Sequence, residues 1–189
     1  MLDIDALVLA AMEASGGIVQ GRTRLQKLVY FASELLQINC GYRPHYYGPY
    51  SSDVAAHVSS QVSRGVLSEV LETFATNEPQ FPGNDGELRR YTYVLTPDGK
   101  AALEWHKERQ GQAFDGALAI MRGLTDSGVD YRVLCYAAKL LHVLAAERKP
   151  LTWAAAKERA RNLGWDMTES EVAQGIELLT TMQLVRKTA

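Results

Sequence analysis

The stretch from Tyr42 to Leu67, YRPHYYGPYSSDVAAHVSSQVSRGVL, decides the reading of this chain. Gly48-Pro49 predicts a tight turn, because proline presets its own φ and glycine accepts conformations closed to other residues. Ser51 or Ser52 then supplies a side-chain oxygen to cap a helix. In that helix Val54, Ala55, Val58 and Val62 form a buried side, while Asp53, His57, Ser60, Gln61 and Arg64 form one polar face. Gly65 stands where glycine commonly closes a helix. Val66-Leu67 opens an apolar strand at once. A helix delivered by a turn and followed directly by a strand is the pattern of the third helix in a winged helix-turn-helix.

The chain before it fits the same plan. Ile4, Leu7, Val8, Ala11 and Met12 share a helical face over Ile4 to Ala14, with Asp3 as cap. Ile18-Val19 reads as a minimal strand after Gly16-Gly17. A second helix follows Gly21, with Thr23 as a candidate cap and Leu25, Leu28, Val29, Ala32, Leu35 and Leu36 as its buried stripe. Tyr30 and Phe31 widen the stripe, which predicts more than one neighbour.

After it, 66–74 and 89–95 read as two strands, with Tyr91, Tyr93 and Leu95 on one face. The Pro- and Gly-rich segment between them, Pro79 to Gly86, would be the wing. Thr96-Pro97 starts a fourth helix, whose Ala102, Leu103 and Trp105 are expected to pack on the body. Gln110-Gly111-Gln112 is the expected boundary between a domain over 1–110 and a C-terminal helical unit over 111–189. That unit holds a short helix near Phe114 to Met121, a longer one over Tyr131 to Glu147 capped by Asp130, one from Thr152 to Gly164, and a last one opened by a Thr168-to-Glu171 capping box. Val172, Ile176, Leu184 and Val185 echo Val54, Val58, Val66 and Leu67 at constant offset, so the second unit is expected to be a degenerate helix-turn-helix or a dimerisation region.

Net charge of −2 over 189 residues makes the whole molecule no attractor for nucleic acid, so DNA contact would need a local basic patch. No apolar run reaches the roughly 18 residues of a membrane span, and the N-terminus lacks a basic signal-peptide region, so a cytoplasmic location is expected. Cys40 and Cys135 fit neither a disulfide framework nor a zinc pattern. Phosphate loops, nucleophile elbows and paired catalytic carboxylates are absent from the sequence, which predicts a non-enzyme without metal or cofactor.

The candidate nucleic-acid contacts are Arg22, Arg24 and Lys27 at the start of the second helix, Ser52, His57, Gln61 and Arg64 on the third, and Arg89 and Arg90 beside the wing. Basic side chains at a helix start suit phosphates; Gln61 would suit adenine and Arg64 guanine. Tyr42, Tyr46, Tyr47 and Tyr50 read first as wedges between helices, second as a binding platform.

Two phrases, Gly21-Arg-Thr-Arg-Leu-Gln-Lys-Leu-Val-Tyr-Phe31 and Tyr46-Tyr-Gly-Pro-Tyr-Ser51, together resemble the YwgA family, and more distantly the SocA-like (Panacea) antitoxin domain. The resemblance is best over 4–70 and implies a winged-helix scaffold without catalytic residues. Its fixed points are Leu25, Gln26, Lys27, Gly48 and Pro49, with Tyr47 and Tyr50 completing the structural motif of the turn, and its Panacea side implies a protein toxin as partner. Gln26 and Lys27 are expected to bond the turn's carbonyls and tie the second helix to it. The combined expectation is a mainly α protein with a small antiparallel wing, acting as a dimeric DNA-binding regulator. The alternative is an adaptor or antitoxin-like module that holds another protein.

Overall fold

A computed structural model describes residues 2–75, 87–147 and 150–185. Among them, α1 (Ile4–Ala14), β1 (Ile18–Gln20), α2 (Arg22–Leu35), α3 (Ser52–Ser63), β2 (Leu67–Ala75) and β3 (Glu87–Leu95) follow one another. Then come α4 (Pro97–Gln110), α5 (Gln112–Asp126), α6 (Tyr131–Glu147), α7 (Trp153–Asn162) and α8 (Glu169–Thr181). The wing tip expected between Pro79 and Gly86 lies outside the described residues.

Local chemistry sets the helix starts. Asp3, Ser51, Thr96 and Thr152 each accept a backbone N–H from the first turn of α1, α3, α4 and α7. Thr168 and Glu171 close a reciprocal capping box on α8. The expected Thr23 cap is corrected: the cap position falls two residues earlier, at Gly21, with no side-chain cap.

The sheet is antiparallel in the order β1-β3-β2. Val19 pairs with Tyr93, and Tyr93 with Glu69, so these three share a face. Val19, Tyr93, Leu95 and Leu67 are buried beneath it. Their burial follows from the period-2 alternation of strands, which sends every second side chain inward.

Two helices occupy the centre. In α1 every residue from Ala6 to Met12 is buried, and in α2 every residue from Leu25 to Ser33. A helix enclosed on all sides needs neighbours on all sides. The sheet and α3 cover only part of that surface; α5 packs on both α1 and α2, and α6 on α2. The hydrophobic core accordingly runs without a break from Leu7 and Leu28 through Phe114 and Met121 to Leu134, Leu140 and Leu179. At Gly111, φ is +50° and the chain turns from α4 into α5.

Two glycines mark close backbone approaches. A Cβ on Gly99 would stand 2.2 Å from the Val66 carbonyl oxygen, so α4 sits against the start of β2. One on Gly175 would meet Leu140 Cδ1 at 2.8 Å and the Tyr136 backbone at 3.0 Å, which lets α8 lie close on α6.

Several expectations are corrected. Trp105 is 52% exposed, its ring beside Arg109, while Leu103 and Ala102 pack on the core as expected. Leu35 is exposed at the end of α2. Helix α5 extends to Asp126, past the expected end near Met121. The C-terminal echo has a plain physical source. Val66 N–H donates to Gln61 O and Leu184 N–H to Leu179 O, but Ile38 N–H donates to Ser33 O in the same way after α2. It is an ordinary left-handed helix closure, and the same bond also follows α1, from Gly17 N–H to Met12 O, and α7, from Trp165 N–H to Ala160 O.

Candidate functional site

The Gly48-Pro49 turn lies in a loop closed on itself. Arg43 and Tyr50 exchange both backbone hydrogen bonds at 2.9 Å, and Gly48 N–H donates to His45 O at 2.9 Å. Gly48 has φ +97°, and a Cβ there would press on Lys139 Cγ at 3.2 Å, Cys135 O at 3.5 Å and Lys27 Cε at 3.5 Å. The backbone angle requires glycine, and the space beside it is already filled to contact distance.

Side chains from three elements hold this loop. Gln26 Nε2 donates to Ser51 O at 2.9 Å, while Ser51 N–H donates to Gln26 Oε1 at 3.1 Å. Lys27 Nζ donates to Pro49 O at 2.6 Å. Trp165 Nε1 donates to His45 O at 2.7 Å from the connection between α7 and α8. Tyr42 Oη donates to Gln26 O at 2.8 Å, and Ser51 Oγ donates to Cys40 O. Gln26, Lys27, Ser51 and Trp165 are all buried. The expected bonds from Gln26 and Lys27 to the turn are present in the structure. Burial pushes the Lys27 ammonium down to about 8, since desolvation disfavours its charged form.

The tyrosines divide. Tyr42 is an internal wedge whose ring meets Tyr30 edge-on. Tyr46 is 62% exposed, and Tyr47 and Tyr50 are exposed as well, so the wedge reading is corrected for these three. Tyr46 and Tyr47 pack edge to face at 5.0 Å, and His45 lies 5.1 Å from Tyr50. Tyr131, at the start of α6, is a further exposed aromatic and influences the titration of Tyr47. Neither Tyr131 nor Trp165 was singled out by sequence reasoning. The only signal for Trp165 is its place just after the Gly164 helix closure.

The predicted nucleic-acid contacts do not form one surface. Lys27 is corrected outright: at 2% exposed, its ammonium belongs to Pro49 and not to a phosphate. Gln61 is corrected likewise, being 2% exposed, with Nε2 donating to Asp5 O and Oδ1 at 3.2 and 3.1 Å. His57 Nδ1 stands 2.8 Å from Asp5 Oδ1 and Arg64 Nη1 3.7 Å from Asp5 Oδ2. Much of the supposed reading face of α3 is thus its seam with α1. Burial raises the Asp5 carboxyl, but the bonds from His57 and Gln61, with the charges of His57 and Arg64, bring it below its ordinary value. What α3 leaves outside is Ser52, Asp53, Ala56, Ser59, Ser60, Ser63 and Arg64.

The remaining arginines do come together. Arg22, Arg24, Arg89 and Arg90 line one groove of about 1050 Å³ with Tyr91, Tyr131, Asp126 and Asp130. Arg22 lies over the Tyr91 ring at 3.4 Å, donates to Tyr93 Oη at 3.1 Å and pairs with Glu69 at 3.5 Å. Arg90 pairs with Glu72 at 2.8 Å. On the far side of Arg22 a crevice of about 90 Å³ opens between α2 and α3, lined by Leu25, Val54, Val58, Tyr50 and Tyr93. Both cysteines are buried and free.

The chain is similar to the uncharacterized protein YwgA of Bacillus subtilis (strain 168), with 31% identity over 105 residues. That alignment covers 55% of this chain and 56% of YwgA, so the chain spans little more than half of the relative it matches. No family model matches. A YwgA-like relationship rests on this similarity. Among the described residues no helix is long and apolar enough to cross a membrane.

Proposed function

We propose that the chain is a non-enzymatic, protein-binding module on a winged-helix scaffold, with the loop at Arg43–Tyr50 as its docking element. The element order from α1 to β3 and the sheet order β1-β3-β2 support the scaffold reading. One observation carries the functional reading: buried Gln26, Lys27 and Trp165, from separate parts of the chain, hold a loop whose tyrosines stay outside.

Burying an ammonium costs several kcal/mol before compensation, so a lysine used to fix one turn argues that the turn's geometry matters. A fixed loop avoids ordering costs of about 0.5–1.5 kcal/mol per immobilised side chain on binding. Tyrosine and arginine are the residues that most often dominate protein interfaces, and Arg43 stands beside these tyrosines. A toxin-like protein partner, the class implied by the Panacea resemblance, suits such a surface.

The regulator reading has less behind it. Affinity for a duplex comes mainly from phosphate neutralisation, and the outward side of α3 carries serines, Asp53 and an arginine already facing Asp5. The test is quantitative capture from a host lysate with the wild-type chain and with a Tyr46→Ser, Tyr47→Ser double variant. A protein retained by the first and depleted at least about tenfold by the second, at equal melting temperature, is the expected result. Equal retention, or steeply salt-dependent binding of random duplex by the wild type, would overturn the reading.

A further inference from the structure

The arginine-lined groove is separate from the tyrosine loop's clamp and needs its own account. Its walls come from β1 and the start of α2 on one side, β3 on a second, and the connection from α5 to α6 on the third. At about 1050 Å³ it is far larger than an inorganic anion and matches the upper range for small-molecule sites.

Three chemistries meet there. First, Arg24 and Arg89 have no hydrogen-bond or ion-pair partner among the described residues, whereas Arg22 and Arg90 are held by Glu69 and Glu72. Two uncommitted guanidiniums are suited to bidentate bonds with phosphate oxygens. Second, Tyr91 is fixed from one side by the Arg22 guanidinium, and exposed Tyr131 lines the same groove. Aromatic rings at a groove wall are stacking surfaces for a base. Third, Asp126 and Asp130 line the wall formed by the α5–α6 connection. Asp130 Oδ1 already accepts from Arg132 N–H at 2.7 Å, which leaves Oδ2 for another donor. Carboxylates opposite a phosphate site commonly accept from ribose hydroxyls.

We infer that this groove binds a nucleoside phosphate, with phosphate on Arg24 and Arg89, base against Tyr91 or Tyr131, and sugar hydroxyls or base amines on Asp126 and Asp130. An acidic peptide fits the arginines but gives the two aspartates only like charge. A nucleoside supplies them with donors. The same chemistry is offered by a free nucleotide and by a nucleic-acid strand, and the experiment separates the two.

The full chain is titrated calorimetrically with ATP, adenosine, inorganic phosphate and an oligoriboadenylate of about 10 nucleotides, within the site sizes of single-strand grooves. Arg24→Ala, Arg89→Ala and Asp126→Asn variants are run in parallel, with melting curves as the folding control. ATP binding, weakened at least about tenfold by either arginine variant and less by Asp126→Asn, is the expected result. An oligoriboadenylate that binds no more tightly than ATP assigns the site to free nucleotides; one that binds much more tightly and with steep salt dependence assigns it to a strand. The inference is overturned by no binding of either up to about 1 mM at low salt. It is overturned equally by inorganic phosphate binding as well as ATP, or by affinity unchanged in both arginine variants.

Discussion

The Lys27 ammonium, buried in the centre of the fold, donates to the Pro49 carbonyl at 2.6 Å. One residue earlier, Gln26 exchanges two hydrogen bonds with the Ser51 backbone. Consecutive residues on α2 therefore grip both sides of a turn more than twenty residues downstream. The physical consequences are open to measurement.

The first concerns pH. Burial holds Lys27 at about 8, below the ordinary 10.5 of the unfolded chain. Between those values the unfolded chain binds more protons than the folded one, so this residue's contribution to stability rises with pH. Its burial penalty is fully present below about 8 and relieved toward 10.5. The stability difference between wild type and Lys27→Met should therefore shift in favour of wild type by about 2 kcal/mol from pH 7 to pH 10. Urea unfolding of both proteins across that range measures it, and a flat difference would mean that Lys27 is not desolvated.

The second concerns Asp5, whose carboxyl sits below its ordinary value. A depressed carboxylate adds stability above about 3.9, lost as pH falls further. Asp5 is partly exposed, so the effect is screened and should stay below about 1 kcal/mol. Asp5→Asn should lose stability near neutral pH and converge on wild type in acid. It should also loosen α3, since His57 and Gln61 lose the carboxylate they share.

Glycines provide a third contrast. Gly99→Ala places a methyl 2.2 Å from a backbone carbonyl oxygen, where no side chain can yield. Gly111→Ala meets nothing within 4 Å and carries only the strain of a positive φ. The first should cost at least about 3 kcal/mol and the second about 1–3 kcal/mol, because φ +50° with ψ −126° lies outside the left-handed helical well. Reversal of that order in denaturant unfolding would contradict the contact between α4 and the start of β2.

A fourth prediction separates cap from clamp. Thr152→Ala removes only the α7 cap and should cost about 1 kcal/mol. Gln26→Ala leaves the buried Ser51 N–H without its partner, while the Ser51 C=O keeps the Ala55 N–H, and should cost about 1–3 kcal/mol. Both are read from melting curves.

Much of the architecture was legible because its signals are local. Ser51, Thr96-Pro97 and Thr168 to Glu171 cap helices by rules that need no knowledge of the rest of the chain. The bonds from Gln26 and Lys27 to the turn were also legible, because those residues flank a buried stripe and Gly48-Pro49 has a carbonyl to offer. The site was legible only in pieces. Gln61 reads as a surface residue by periodicity, and nothing in its own segment announces that Asp5 lies opposite. Lys27 reads as a surface cation for the same reason. Enclosure of α2 depends on α5 and α6, which arrive some ninety residues later, and a helical wheel cannot anticipate them. The groove depends on bringing Arg24, Arg89 and Tyr131 together, which only the tertiary fold does.

The most direct test is amide hydrogen exchange at Gly48, Tyr50 and Ser51 in wild type and Gln26→Ala. A clamped loop predicts wild-type protection approaching that of the sheet amides at Thr92 and Tyr93. In the variant, protection at Tyr50 and Ser51 should fall at least about tenfold while Thr92 and Tyr93 hold theirs. Rapid exchange at Tyr50 and Ser51 in the wild type, or no change in the variant, would show that the loop is not held in advance, and the docking account would lose its basis.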